Sequence, residues 1–318
     1  MLENLPKTLV GVARYFADPQ VCIDFVAFLR WENGEPVCVH CKEKGAYFLA
    51  SRKIYKCKKC RKQFSVKMGT IFAESAVGLD KWLVAIWLIA NCKNGISSYE
   101  LARDIDVTQR TAWFMNHRIR TAMTVGSIEK MGGGEPIEMD ETFIGGNAKN
   151  MHRAKRERFL PRYSSKNRVT AHKTAVFGMV QRGGKVKAQV IKSVRTKDVM
   201  PIIQENIEKN AEVFTDSAPI YRDLWQEYIH ESVNHSVEYV RGNVHTNSIE
   251  NFWSLLKRTI KGTYVSVSPA HLQKYVEEQM FRYNEREGDD AFRFVRMLES
   301  ISGKRLTYNE LIDYEIRG

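Results

Sequence analysis

Two Cys-x-x-Cys pairs, Cys38 with Cys41 and Cys57 with Cys60, stand fifteen residues apart and constrain the chain more than any other feature. At this spacing two thiolate knuckles on facing hairpins close one tetrahedral metal site. Four sulfurs suit zinc, and spacing alone leaves iron open. A closed four-thiolate shell is structural, so residues 36–70 are expected to form a platform that does no chemistry of its own. His40 lies between the first pair and is a bystander, because the shell is already complete. Cys22 and Cys92 sit among apolar neighbours and are expected to pack as small hydrophobes. Lys42, Lys44, Arg52, Lys53 and Lys56 fill the loop between the pairs, and Lys58, Lys59, Arg61 and Lys62 crowd the second knuckle. That density favours phosphate contact, with a solvated loop on a protein-binding module as the alternative.

The rest of the composition points the same way. In 318 residues, 49 Lys and Arg against 37 Asp and Glu leave a net charge of +12. Such a surplus attracts polyanions, nucleic acid ahead of an anionic membrane surface. No apolar run is long enough to span a bilayer, and the first residues lack the layout of a secretory signal. The expected compartment is therefore the cytoplasm, or the bacterial nucleoid within it, with no membrane partner.

Periodicity and turn residues divide the chain into an N-terminal helical segment over 1–35, the cysteine platform over 36–70, and three helices within 78–125. The helices, near 80–92, 97–105 and 108–123, fit a helix-turn-helix unit, though an ordinary three-helix bundle has the same periodicity. The third would be the recognition helix. It offers Gln109, Arg110, Asn116, Arg118 and Arg120 to double-stranded DNA, while Ala112, Ile119 and Met123 form an inward stripe. Three adjacent glycines make 126–135 a linker. A second domain follows over 136–287, and 288–318 is a tail of no assigned role.

In that domain IEMDETFIGG reads as a strand, TAVFGMVQRGGKVKAQVIKSV as a hairpin turned at Gly183-Gly184, and EVFTD as a short strand. YRDLWQEY reads as a helix and VEYV (237–240) as a further strand. NSIENFWSLLKR is a helix whose Ile249, Phe252, Trp253, Leu256 and Ile260 make one apolar stripe. Asn247, Glu250, Ser254 and Lys257 fall on another face, with Lys257 two turns beyond Glu250. Asp140 in the first strand, Asp216 at the end of the short one and Glu250 on the helix form a set of three acids. Such a set can hold two hard, oxygen-seeking ions, magnesium or manganese, for phosphodiester displacement. Glu141 should turn to the opposite face of the strand, and it and Glu138 are expected to matter much less. Between Asp140's strand and the hairpin lies a basic insertion containing Arg153, Lys155, Arg156 and Arg158, expected as a loop that orders on DNA.

IEMDETFIGG, VFTDSAPIY and HTNSIENFWSLLKRTIKGTY, with thirty-four residues from Asp216 to Glu250, resemble the Asp-Asp-Glu transposases of bacterial insertion sequences. The branch most similar carries an N-terminal zinc ribbon and a lysine seven residues after the Glu. The resemblance extends through RWENGEPVCVHC and the FRYNER helix. It implies an α+β multidomain protein, a zinc ribbon and helix-turn-helix followed by a ribonuclease-H-like α/β catalytic domain with a mixed sheet. It also implies magnesium-dependent cleavage at terminal inverted repeats, transfer of the freed 3′-OH to target DNA, and a homodimer or higher homo-oligomer on DNA. Asp140, Asp216 and Glu250 match the metal-binding triad and Lys257 the lysine. A DNA-binding regulator with a relict catalytic fold, or a metal-dependent nuclease without strand transfer, would carry the same residues.

Overall fold

A computed structural model describes residues 5–31, 34–124, 129–146, 150–159, 170, 172–233 and 242–317. The chain divides into two compact units, Met1–Val125 with Glu285–Ile316, and Gly126–Asn284 with the last two residues.

The first unit opens with α1 (Leu9–Tyr15) and α2 (Pro19–Arg30). Thr8 and Asp18 cap them through their side chains, and Pro19 occupies the first turn of α2, where its missing N–H costs nothing. The cysteine platform is a three-stranded antiparallel sheet of β1 (Ala46–Leu49), β2 (Ile54–Cys57) and β3 (Gln63–Phe64) in sequence order. Trp31, Tyr55 and Phe64 pack edge-on and stacked beneath it. Next come α3 (Leu79–Asn91), α4 (Ser98–Asp104), capped by Ser97, and α5 (Gln109–Met123), capped by Thr108. The tail, α10 (Asp290–Glu299) and α11 (Tyr308–Arg317), returns to this unit. Phe294 packs with Phe16, Phe25 and Trp87.

That return corrects the expected surface of α5. Asn116, Arg118 and Arg120 are only 1%, 3% and 1% exposed, so they are not open to DNA. Arg118 donates to the Leu306 carbonyl at 2.9 Å and lies over the Phe114 ring, while Lys304 donates to the carbonyls of Ala122 and Thr124. The C-terminal half of α5 is thus a buried central helix, enclosed by chain from 180 residues away in sequence. Gln109 and Arg110 stand at its open N-terminal end, with Arg110 held against the Tyr308 hydroxyl and ring.

The second unit is built on a five-stranded sheet in the order β6-β5-β4-β7-β8. These are β4 (Ile137–Ile144), β5 (Thr174–Gln181), β6 (Val186–Ile191), β7 (Glu212–Asp216) and β8 (Ile229–Val233). Strands β4 to β6 pair antiparallel, whereas β4 with β7 and β7 with β8 are parallel, so the sheet is mixed. Alternation gives each strand two apolar faces. On one, Ile137, Met139, Phe177, Met179 and Val213 pack with α7 (Thr196–Asn206). On the other, Val176, Val180, Val186 and Ala188 receive Ile249, Phe252, Trp253 and Leu256 of α8 (Asn247–Arg258), with α9 (Leu272–Asn284) beside it. A π-helical turn, Thr259–Tyr264, follows α8.

Three expectations change. The stretch 221–228 forms short 3-10 turns and not a helix, and it leads into β8, a strand the sequence reading missed. The basic insertion contains a helix, α6 (Arg153–Phe159), supported by an Arg153–Glu157 pair one turn apart. Met131, assigned to the linker, is buried and exchanges backbone hydrogen bonds with Asn206 and Glu208. The strand expected at 237–240 lies outside the described residues, as do the insertion's residues 160–169 and the side chains of Lys155 and Arg158.

Gly178 of β5 faces Asp140 across the ladder, and a Cβ there would come within 2.6 Å of the Trp253 indole. Gly178→Ala therefore forces α8 or its indole outward and should destabilise the second unit by about 1–3 kcal/mol. Chemical unfolding should register this as a lower midpoint at unchanged slope, and an unaltered midpoint would refute the close packing.

Candidate active site and metal centre

The four cysteines come together. Their sulfurs lie within 4.8 Å of one another, with Cys38 to Cys60 and Cys41 to Cys57 each 3.6 Å apart. Zinc–sulfur bonds of about 2.3 Å in a tetrahedron separate sulfurs by about 3.8 Å, so the quartet fits zinc. The two knuckles are built alike: Lys42 and Arg61, each four residues after the first cysteine of its pair, donate back to that cysteine's carbonyl. Both adopt left-handed backbone, with φ of 63° and 59°, a conformation that closes the tight turn at some strain. The backbone N–H of Cys60 points at Cys57 Sγ and, against the opposing effect of burial, draws that thiol down to about 7, toward the thiolate a metal needs. His40 stays outside the quartet, near the Gln63 carbonyl.

In the second unit, strand alternation puts Glu138 and Asp140 on the sheet face that carries α8, and Glu141 on the opposite one. Asp216 ends β7, the parallel neighbour of β4. Glu138 pairs with Phe214 in the register, so Asp140 and Asp216 each stand two residues past the same rung. Asp140 accepts a hydrogen bond from the Trp253 indole at 3.0 Å. Burial, then the charges of Glu141 and Asp216, push its carboxyl up to about 7. Glu141 is raised as well, by burial and by Asp216, against the hydrogen bond it accepts from the Tyr221 hydroxyl at 2.7 Å. Burial lowers Lys257, and the attraction of Asp140 opposes that, so the ammonium stands within electrostatic reach of Asp140. Glu250 is exposed on α8 and accepts from the Thr246 hydroxyl at 3.0 Å. Among the described residues only the cysteines bring three or more ligand atoms within 4.8 Å, so the three acids stand farther apart than a closed shell. Their donor set is nonetheless suited to a hard divalent cation, which would offset the repulsion that holds Asp140 toward its protonated form.

Glu138 is a further acid on the sheet face of Asp140. It is fully buried and accepts from Arg182 Nε at 2.7 Å, from the backbone N–H groups of Ser248 and Ile249 at 2.6 and 3.1 Å, and from the Ser248 hydroxyl at 3.0 Å. His245 Nδ1 lies 3.3 Å away. Its place two residues before Asp140 puts it on that face. Of the basic residues, Arg153 and Arg156 on α6 are exposed.

The elevated Asp140 carboxyl has a consequence for stability. The folded state keeps a proton that the unfolded chain has released between the ordinary value of 3.8 and about 7, so stability falls across that window as pH rises. The cost at its upper end is on the order of 4 kcal/mol. Asp140→Asn, which still accepts from Trp253, should therefore raise the thermal midpoint in magnesium-free buffer at pH 8, and by clearly less at pH 5. Calorimetry at both values checks this; an equal gain at both would contradict the shift.

Comparison with known proteins reaches both the ribbon and the second unit. Residues 131–284 match the model of the ISXO2-like transposase domain, and residues 18–63 match that of the transposase zinc-ribbon domain. A protein of Halobacterium salinarum described as an uncharacterized protein in transposable element ISH50 is 27% identical over 278 residues, covering 84% of this chain and 91% of its own. An uncharacterized transposase-like protein of Haemophilus influenzae is 30% identical over 115 residues, 36% of this chain and 93% of its own. With the four-cysteine ribbon ahead of the mixed-sheet unit that carries the acids, the chain belongs to the transposases defined by a zinc ribbon followed by an ISXO2-like domain.

Proposed function

We propose that the second unit is a ribonuclease-H-like catalytic domain in which Asp140, Asp216 and Glu250 hold two magnesium or manganese ions. On this reading the chain cuts DNA at the terminal inverted repeats of its element and joins the freed 3′-OH to target DNA. The observation that carries it is the placement of Asp140 and Asp216 two residues past one rung of adjacent parallel strands, with Asp140 against Trp253 of α8, the helix that also carries Glu250 and Lys257. When bound, the ions stabilise the attacking and the leaving oxygen of an in-line displacement. The chain's own residues prepare for this. Trp253 orients Asp140 and shields it from water, and the repulsion among Asp140, Glu141 and Asp216 favours a cation over a proton as pH rises through 7. Lys257 neutralises a phosphate and cannot ligate magnesium while charged.

DNA is held by the ribbon's lysines and arginines, by Gln109 and Arg110 at the open end of α5, and by Arg153, Lys155, Arg156 and Arg158 of α6, supported by the net charge of +12. Protomers assemble on DNA as a homodimer or higher homo-oligomer, in the cytoplasm at the nucleoid. No helix among the described residues is long and apolar enough to cross a membrane.

The test is DNA carrying the labelled ends of the element that encodes the chain, incubated with magnesium and scored for nicks and joined products. The unaltered chain should give both. Asp140→Asn, Asp216→Asn and Glu250→Gln should each lose both by at least about 100-fold while still binding the ends, because one missing ligand misplaces the ions. Lys257→Ala should slow processing with metal binding nearly intact. Nicks without joined products would identify a nuclease, and neither product from the unaltered chain would identify a DNA-binding regulator with a relict site.

A further inference from the structure

At the start of helix α8, His245 Nδ1 accepts from the Asn247 N–H at 3.4 Å, and the next N–H groups have no acceptor in the adjoining chain. Thr246 stands at the cap position, yet its side chain makes no cap hydrogen bond and its hydroxyl donates to Glu250 instead. The first N–H groups of a helix need acceptors. Here Ser248 and Ile249 find one in Glu138, on a strand 110 residues earlier in sequence. A cap within the local chain would fix only where the helix starts, whereas a cap from β4 fixes the helix against the sheet.

Arg182, the residue after β5, completes the junction. Its Nε donates to Glu138, its Nη1 to the carbonyl and side-chain oxygen of Asn243, and its Nη2 to the His245 carbonyl, with His245 Nδ1 at 3.0 Å. Its Cζ lies 4.8 Å from the centre of the Phe214 ring on β7. A single guanidinium therefore touches β4 and β7 and clamps the segment that leads into α8. Each of the three acids lies two residues past a member of this junction: Asp140 past Glu138, Asp216 past Phe214, Glu250 past Ser248. On strands, two residues return to the same face, so a shift at the junction passes directly to the carboxylate beyond it.

We propose that Glu138 is a positioning residue: through Arg182 and the α8 N-terminus it sets the spacing of Asp140, Asp216 and Glu250. This rests on the catalytic reading of those acids. A carboxylate is required for the task because it accepts from the guanidinium and from two backbone N–H groups at once, and because its charge suits both the arginine and the positive end of the helix. Glutamine at the same position keeps the size, but its amide nitrogen turns a donor toward Arg182 or toward α8.

The test compares the zinc-loaded chain with Glu138→Gln by three readouts: the thermal midpoint, manganese binding followed by electron paramagnetic resonance, and the magnesium dependence of cleavage and joining at element ends. Loss of an outer partner that orients metal ligands weakens metal affinity by about 10- to 100-fold. Glu138→Gln should shift manganese binding and the magnesium response to higher concentration by that factor, regain much of its activity at high magnesium, and bind DNA ends normally. Placed on Glu250→Gln, it should shift manganese binding much less, since its effect runs partly through that acid. A lowered midpoint with an unaltered metal response would overturn the proposal and leave Glu138 a stability residue. If Glu138→Gln does not fold, Arg182→Lys decides by the same readouts, because it keeps the charge beside Glu138 and cannot span Asn243 and His245. An unaltered chain that neither binds manganese nor cuts overturns the catalytic reading itself. One that does both beside an unshifted Glu138→Gln overturns only the positioning role.

Discussion

The indole of Trp253 rests on the sheet where Gly178 has no side chain, and its Nε1 reaches Asp140 at 3.0 Å. This close approach decides how the second unit is assembled. A residue with a Cβ at position 178 would hold α8 away, and the apolar stripe of Ile249, Phe252 and Leu256 would lose its seat on Val176, Val180 and Val186. Burying each such side chain stabilises by about 1.5–3 kcal/mol, so the stripe fixes the helix far more firmly than any single polar contact. The same contact removes water from one side of Asp140. Packing and electrostatics are thus linked at one residue: the indole that seats the helix also creates the low-dielectric surroundings that raise the Asp140 carboxyl.

The first unit solves a different problem with similar means. Its ribbon is small, and beside the packing of Trp31, Tyr55 and Phe64 it brings four thiolates to one point, where an ion would tie the two knuckles together. Chain from both ends then encloses α3 and α5. Phe16 and Phe25 arrive from the start of the chain and Phe294 from near its end, to form one aromatic cluster. Arg118 enters the interior only because the Leu306 carbonyl and the Phe114 face receive its guanidinium, which burial pulls below its ordinary value.

How much of this was legible in the sequence depended on range. The cysteine quartet could be read because ligand spacing is a local constraint, and the hairpin at Gly183-Gly184 and the stripe of α8 because period and turn chemistry are local too. Surface and interior on α5 could not. Its inward stripe was visible, but Asn116, Arg118 and Arg120 are covered by residues whose return depends on the whole tail. Strand β8 escaped for a related reason: Ile229 to Val233 is an edge strand whose three middle residues are all polar, and only its parallel pairing with β7 defines it. Met131 looked like linker beside three glycines and is instead held by the end of α7.

Strand β4 carries three acids within four residues, and their surroundings separate them into different kinds of group. Glu138 is buried but fully supplied, with a guanidinium and two backbone N–H donors, the arrangement that makes a buried charge tolerable. Glu141 shares one hydrogen bond with Tyr221 on the opposite face. Asp140 is half-buried beside two other acids, with the Trp253 indole and the Glu141 backbone N–H as donors and an ammonium nearby. Sequence alone ranks these residues by their neighbours in the strand, which are nearly the same for all three. What distinguishes them is unmet charge. A carboxylate whose partners are complete gains little from further positive charge, and Glu138 is the most fully supplied of the three.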